Sequence, residues 1–387
     1  MGLSTHATTI LLAYCYSRLQ LYSYMFTTQY QDVLNQVEAI DPIKYAASRN
    51  YIDGAVTKLS PYISRGVIST RYILDRVLDR GYKLQQIEKF VQELAWRDYY
   101  QQVWIARGND IDKDLRSSQP NVKNYSIPTA IIEANTGIQA IDDGIHALYD
   151  TGYMHNHVRM YVASIVCNMA GSHWYVPAQW LYYYLLDADW ASNALSWQWT
   201  AAAFSSKKYY ANQDNINKYC HTRQSNTFVD VDYNAFEKMQ VPKALQQQRD
   251  FYEATELPTQ QKLTVDPTKP TVLYTFYNLD PNYMQAIAAN RVLILEPAFY
   301  KKYPVSTATI NFIIALAGNI EGVQLYVGSY KDYVHSYPSQ EIYYKEHPTN
   351  THFEGIAHPR DFIAPSVVGY YPSFFGYWKK VQKQLGF

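Results

Sequence analysis

Along the chain the apolar positions fall into two regimes. From Phe26 to about residue 225 they recur at helical spacing. Beyond Pro270 they gather into short continuous runs with helical stretches between them. Over 30–40, Val33, Leu34, Val37 and Ile40 repeat every 3.6 residues, which predicts a helix. Over 85–104, Phe90, Leu94 and Trp104 lie near one face and predict another. Further helices are expected over 130–149, from 151 through Met169, and over 180–186, with a polar, proline-bearing loop at 114–128. No segment to this point reads as a convincing strand, so 26–225 reads as all-α.

Residues 226–269 are polar and read as a linker carrying one or two surface helices. Over 270–387 the texture changes. Strands are expected at 272–277, 291–295 and 323–327, with helices at 283–290 and 307–318. That alternation implies a parallel sheet with right-handed crossovers, hence a small α/β, Rossmann-like domain. Its first turn lacks G-x-G-x-x-G, so a nucleotide site is not indicated there. Residues 1–25 are apolar around Leu11 but lack a basic leader, and read as an N-terminal extension.

Composition narrows the class. The 387 residues suffice for two domains, and 34 basic against 34 acidic side chains exclude a chain-wide polyanion-binding field while leaving room for a local basic groove. The 39 tyrosines suit half-buried faces and stacking surfaces. Cys15, Cys167 and Cys220 form no C-x-x-C, so neither a disulfide framework nor a metal site is expected. No long apolar run predicts a membrane span. A monomer in a reducing, cytoplasmic setting is the expectation.

Four stretches carry more chemistry than a core needs. Asp187, Ala188 and Asp189 are followed by Asn193 and then by Trp197, Gln198 and Trp199. Thr151 to Met160 packs His155, Asn156, His157 and Arg159 among apolar residues. Gly54 leads through Thr57, Lys58 and Leu59 to Ser60, a small-residue loop able to cap a helix or hold phosphate on its amides. Glu93 and Arg97, spaced i,i+4 around Trp96, either pair on the helix surface or point into a cleft. His155 and His157 stand two apart, so they diverge rather than chelate. Acid, amide and indole at this density suit a pocket for a flat heteroaromatic cofactor.

Taken together, the four stretches resemble the FAD-binding domain of the DNA photolyase/cryptochrome family. Leu59-Ser60-Pro61-Tyr62 looks like its phosphate loop, and Glu93-Leu94-Ala95-Trp96-Arg97 is similar to its E-L-x-W-R signature. Thr151 to Met160 resembles T-G-W-M-H-N-R-x-R-M, and Asp187 to Trp199 matches D-x-D, N and W-Q-W. The resemblance implies FAD in a helical bowl. Tyr45, Thr57, Lys58, Leu59 and Ser60 would hold its diphosphate. Phe90, Asp187, Ala188 and Asp189 would line flavin and adenine, with Arg159 paired to Asp187. Asn193 would face flavin N5, where a neutral amide adds no negative charge. Trp197 and Trp174 would conduct electrons, with Tyr125 the nearest aromatic in place of an outer tryptophan.

The same resemblance implies DNA containing pyrimidine dimers as partner. Glu93, Trp96, Asn156, Met160 and Trp199 would form the substrate wall, with Trp96 and Trp199 stacking on an extruded lesion. Arg49, Arg97, Lys207 and Lys208 could meet phosphates. Three departures stand out. His157 replaces the usual arginine, Val56 replaces a hydroxyl in the phosphate loop, and no α/β antenna domain precedes the helical part. Val292 to Pro297, Leu325 to Gly328 and the Phe374 to Trp378 segment look like that domain moved to the C-terminus, with its second, antenna chromophore unknown. Two functions follow from the resemblance: light-driven dimer repair by reduced FAD, or a cryptochrome-like photoreceptor without repair. A helical scaffold without flavin would leave the four motifs unexplained.

Overall fold

The computed structural model describes residues 26–387, so the expected extension over 1–25 lies outside the described residues. The chain enters through α1 (Tyr30–Glu38) and α2 (Pro42–Ser48). The Asp41 carboxylate caps α2 by accepting from the amides of Ile43 and Lys44, with Pro42 in the first turn. Then come α3 (Ser60–Ser64), α4 (Thr70–Asp79) and the 20-residue α5 (Glu88–Arg107). Leu84–Gln86 is a short 3-10 turn, so α5 starts three residues later than the periodicity suggested.

The helix expected over 130–149 is two. After α6 (Thr129–Ile132), Ala134 and Gly137 adopt positive φ and reverse the chain. Asp142 then accepts from Thr136 Oγ1 and from the amides of Thr136 and Gly137, which fixes the start of α7 (Gln139–Thr151). Thr151 and left-handed Gly152 therefore close a helix rather than open one. The next, α8 (Asn156–Ser164), starts at its cap His155 and runs into one π turn, Ile165–Met169. After it come α9 (Tyr175–Tyr184), α10 (Trp190–Thr200), α11 (Gln213–Cys220) and α12 (Tyr233–Phe236). The part is not wholly helical. β1 (Ile127–Pro128) pairs antiparallel with β2 (Gln248–Arg249), satisfying loop backbone that has no helix to bond to.

The α/β part holds β3 (Thr271–Tyr274), β4 (Asn290–Leu295), β5 (Val323–Val327), β6 (Ile342–Lys345) and β7 (Ile356–His358), all parallel, in the order β5-β4-β3-β6-β7. Its helices are α13 (Pro297–Lys302), α14 (Thr307–Ala317), α15 (Tyr330–Ser336) and α16 (Phe374–Leu385). Strands β6 and β7 go beyond the three expected. The helix expected over 283–290 is absent. Met284 has φ +52, and buried Arg291 of β4 takes the carbonyls of Met284, Gln285 and Ile287. Those oxygens are held by the guanidinium instead of by amides four residues on.

The larger of two apolar cores runs through both parts, as in the contact of Tyr62 with Phe312 at 6.1 Å between centroids, while Leu273, Val292, Ile294 and Tyr333 belong to a smaller one in the α/β part. Backbone bonds also cross the junction: Leu279 N to Arg65 O at 2.9 Å, and Ser306 N to Tyr183 O at 2.9 Å. Gly66 sits there with φ +62, and a Cβ on it would lie 2.1 Å from the Tyr277 carbonyl oxygen. No helix among the described residues is long and apolar enough to cross a membrane.

Candidate functional site

Helix α10 is buried except for Ser192, Asn193, Ser196 and Trp199, which share one face at helical spacing. Helix α5 carries a similar half-buried row, Glu93, Trp96, Arg97 and Tyr100. The two rows meet where the Tyr100 hydroxyl bonds Ser196, and burial pushes the Tyr100 pKa up to about 12. Helix α10 also packs on α8, which contributes exposed Asn156 and half-buried His157, Arg159 and Met160. A polar and aromatic seam inside an otherwise apolar bundle is the result.

Charges within the seam are paired across elements. Arg159 donates to Asp187 Oδ2 at 2.9 Å and to the Met154 carbonyl at 2.8 Å. Arg97 meets Asp189 Oδ2 at 3.3 Å and Ser64 Oγ at 2.8 Å, and Gln101 donates to the same Asp189 oxygen at 2.6 Å. Asp189 also caps α10, accepting from the Ser192 amide at 2.7 Å. Glu93 pairs with Arg49 at 3.0 Å. Glu93 and Arg97 are thus not partners on the helix surface. Arg97, with its side chain 18% exposed and tied to Asp189, is withdrawn from any role against DNA phosphates, because moving it would strand a buried carboxylate.

Several features fit FAD. Asp187 Oδ1 and Ser192 Oγ are buried without a partner, two oxygens at the head of α10 that ribose or ring N–H donors would satisfy. Asn193 gives one amide hydrogen to the Ala178 carbonyl at 2.8 Å, which fixes the side chain and leaves its carbonyl oxygen and second N–H unassigned. In the phosphate-like loop, a Cβ on Gly54 would meet Ser48 O at 2.0 Å, and Lys58 has φ +53. Thr57 Oγ1 accepts from the Leu59 amide at 3.4 Å, and Leu59 and Ser60 form the start of α3. Tyr45 stands edge-on to Phe90 at 5.3 Å. His155 accepts from the His157 amide through Nδ1, which puts its proton on unpartnered Nε2. Burial lowers its pKa to about 4, so it presents a neutral donor beside Lys58 and Arg159.

The expected substrate wall is only partly free. Phe374 of α16 lies flat on Trp96, 3.7 Å between centroids and 9° between planes, covering one ring face. Trp199 packs against Tyr209 at 6.0 Å. His157 Nδ1 bonds the Asn50 carbonyl at 2.9 Å, and its ring nests against Tyr161 and Tyr219. Burial lowers its pKa, so at neutral pH it does not replace the missing arginine's charge. Lys207 is exposed, while Lys208 is half-buried with a lowered pKa from desolvation. Trp174 and Trp197 are buried, Trp174 donating Nε1–H to Asp114 at 2.7 Å. Tyr125 is 69% exposed and stacks on His173 at 5.2 Å, which in turn lies 5.7 Å from Trp174.

A concavity of about 350 Å³ opens at the junction of the two parts. Arg97, Gln101 and Asp189 line it from the helices, and Asn278, His347 and Arg360 from the loops after β3, β6 and β7. The sheet reverses its order between β3 and β6, and the crevice outside that switch point is the usual ligand position in open parallel sheets.

Sequence reasoning missed Ser64, Tyr100, Gln101, Ser192 and Ser196. Ser196 lies three residues from both Asn193 and Trp199, so helical spacing was signal enough for it, and for Ser192 at i−4. Ser64 and Gln101 gave none, because their roles arise from Asp187 and Asp189 far along the chain.

The chain is similar to known proteins over its helical part. Residues 90–268, just under half of the chain, match the FAD-binding domain of DNA photolyase. A deoxyribodipyrimidine photo-lyase of Alkalihalophilus pseudofirmus is 32% identical over 164 residues, 41% of this chain and 34% of that protein. Cryptochrome DASH of Danio rerio is 32% identical over 171 residues, 41% of this chain and 32% of the relative. The chain thus spans about a third of the length of the curated relatives it matches. Among solved structures, a Synechocystis cryptochrome is similar with a TM-score of 0.46 at 25% identity, covering 51% of this chain and 44% of that one. Over residues 90–268, the segment that holds the Arg159–Asp187 pair and Asn193, the chain is thus similar to the FAD-binding domain of DNA photolyase, with photolyases and DASH cryptochromes among its relatives.

Proposed function

We propose that the protein is a light-dependent flavoenzyme that splits cyclobutane pyrimidine dimers in DNA. FAD, when bound, would supply a reduced, light-absorbing one-electron donor. The carrying observation is the half-buried row Asn193, Ser196 and Trp199 on a buried helix whose head holds the Arg159–Asp187 pair. Asp187, Asp189, Ser192 and the 57–60 loop would hold the cofactor. Asn193, pinned to Ala178, would place a neutral amide beside it. Trp199 and the free face of Trp96 would stack on the lesion, and Asn156, Met160 and Glu93 would complete the wall. Dimer splitting would need no net oxidant or reductant, so the residues of the wall have only to bind and orient the lesion.

Reduction of the cofactor from solvent would use Trp197 and Trp174, with Tyr125 as the surface aromatic reached through His173. We divide the chain into a flavin domain over 26–225, a linker over 226–269 and an antenna-like domain over 270–387. The junction concavity is the place assigned to a second chromophore, on the ground of its switch-point position.

The test is repair of a dimer-bearing oligonucleotide by the reduced, illuminated protein, with a (6-4) lesion in parallel. Trp199→Ala should abolish repair and keep the flavin. Loss of flavin in that variant would show that Trp199 serves the cofactor instead. A second reading, a photoreceptor without repair, is favoured by one observation: Glu93 and Trp96 already have internal partners in Arg49 and Phe374. Flavin release on denaturation together with no repair of either lesion would select it. A colourless purified protein without FAD would end both.

A further inference from the structure

Helix α16 reads FFGYWKKVQKQL, three lysines and no acid, in a chain whose charges cancel. Its apolar face is fully used: Phe374, Tyr377, Trp378 and Val381 are buried. Phe374 stacks on Trp96, and Gln382 donates to Glu88 Oε1 at 3.2 Å, so α16 runs antiparallel along the helix that carries Glu93 and Trp96. The outer face is different. Phe375, Lys379 and Lys383 follow one another at i, i+4 and i+8, all exposed, with Lys380 beside them. Phe375 is 63% exposed, and the preceding loop exposes Val368 to the same degree. Among the described residues the ion pairs of lysines involve other positions, so no carboxylate neutralises this row.

We propose that this face of α16 is a nucleic-acid contact supplied by the α/β part, extending the α5 wall. It rests on the reading of DNA as the partner. Lys379, Lys380 and Lys383 meet successive phosphates. Four residues of helix advance roughly 6 Å, a step comparable with the phosphate repeat of an extended strand. Phe375, one residue from the ring that covers Trp96, offers its open face to a base at the edge of the site. A lipid surface fits poorly, because a membrane-bound helix needs its apolar face free and here that face is buried on α5.

The experiment is fluorescence anisotropy with an undamaged single-stranded oligonucleotide, on the full chain, between 50 and 200 mM salt. Lys379→Gln, Lys380→Gln and Lys383→Gln combined should weaken binding at least tenfold at the low-salt end. The slope of log K against log salt should fall by about 2, at roughly 0.7 per lost phosphate contact. The matching triple arginine variant should keep the slope. Phe375→Ala should weaken binding about fivefold or more and leave the slope unchanged. An unchanged triple glutamine variant overturns the role of α16 while DNA binding itself survives. A wild-type protein that binds no DNA removes the substrate reading as well. Binding of polyglutamate or anionic vesicles as tight as that of DNA also overturns the proposal, assigning the face to an acidic polypeptide or a membrane.

Discussion

Asp187 is the residue on which the flavin reading can be tested most directly. Its side chain is almost fully buried, one oxygen on Arg159 and the other without a partner. Asp187→Asn leaves the guanidinium uncompensated, which should cost about 2–3 kcal/mol; Arg159 keeps a fifth of its exposure, which holds the loss below that of a fully buried pair. The urea midpoint should drop, and the flavin-to-protein absorbance ratio of the purified variant should fall with it. Asp98 makes a separate prediction. Burial raises its pKa from the usual carboxylate range to about 7, although Ile363 N–H and Thr70 O–H both donate to it. Between about pH 4 and 7 the native state then holds a proton that the unfolded chain has lost. Stability from this group therefore falls as pH rises through that window, by up to roughly 4 kcal/mol. His155 acts oppositely: with its pKa lowered to about 4, the unfolded chain binds the extra proton, and stability rises with pH up to about 6.5. Asp98→Asn should unmask that rising slope and make the protein more stable than wild type at pH 7.5. The Thr70 hydroxyl can turn to accept from the new amide. Urea melts at pH 5 and 7.5 decide it; parallel curves for the two proteins would refute the assignment.

At the scale of elements, the tightest constraint is where α3 meets the loop after β3. Gly66 has φ +62 and faces the Tyr277 carbonyl at a distance no Cβ can occupy. Gly66→Ala should therefore cost more than about 2 kcal/mol, backbone strain plus displacement of the junction. Gly137→Ala is the internal control. It shares a positive φ of +79 but has nothing within 4 Å of the added methyl, so only about 1 kcal/mol of strain is expected. Thermal melts of the two variants should separate clearly. Equal shifts would mean that the close approach at Tyr277 relaxes at no cost.

For the whole molecule, the question is whether the helical and α/β parts unfold separately. They share the larger of the two cores, and Asp98, Gln102 and Tyr99 of α5 all bond backbone of the 363–371 segment. A single cooperative transition is expected, with calorimetric and van't Hoff enthalpies in agreement. Two resolved transitions would show the parts to be independent.

The sequence by itself determined the four flavin motifs, the helical character of most of 26–225 and three of the five parallel strands. Each of these is written locally, in periodicity or in residues a few positions apart. Only the tertiary structure decided who pairs with whom. Glu93 and Arg97 look like helix-surface partners, yet take Arg49 and Asp189, because their row faces other elements rather than water. The expected helix over 283–290 gives way because a buried arginine on the next strand claims its carbonyls. Trp96 looked free until α16 folded back and laid Phe374 on it, 278 residues later in the chain. Periodicity shows which face of a segment is apolar. What covers that face is a long-range choice, set when the whole chain finds the one arrangement that buries its rings and pairs its charges.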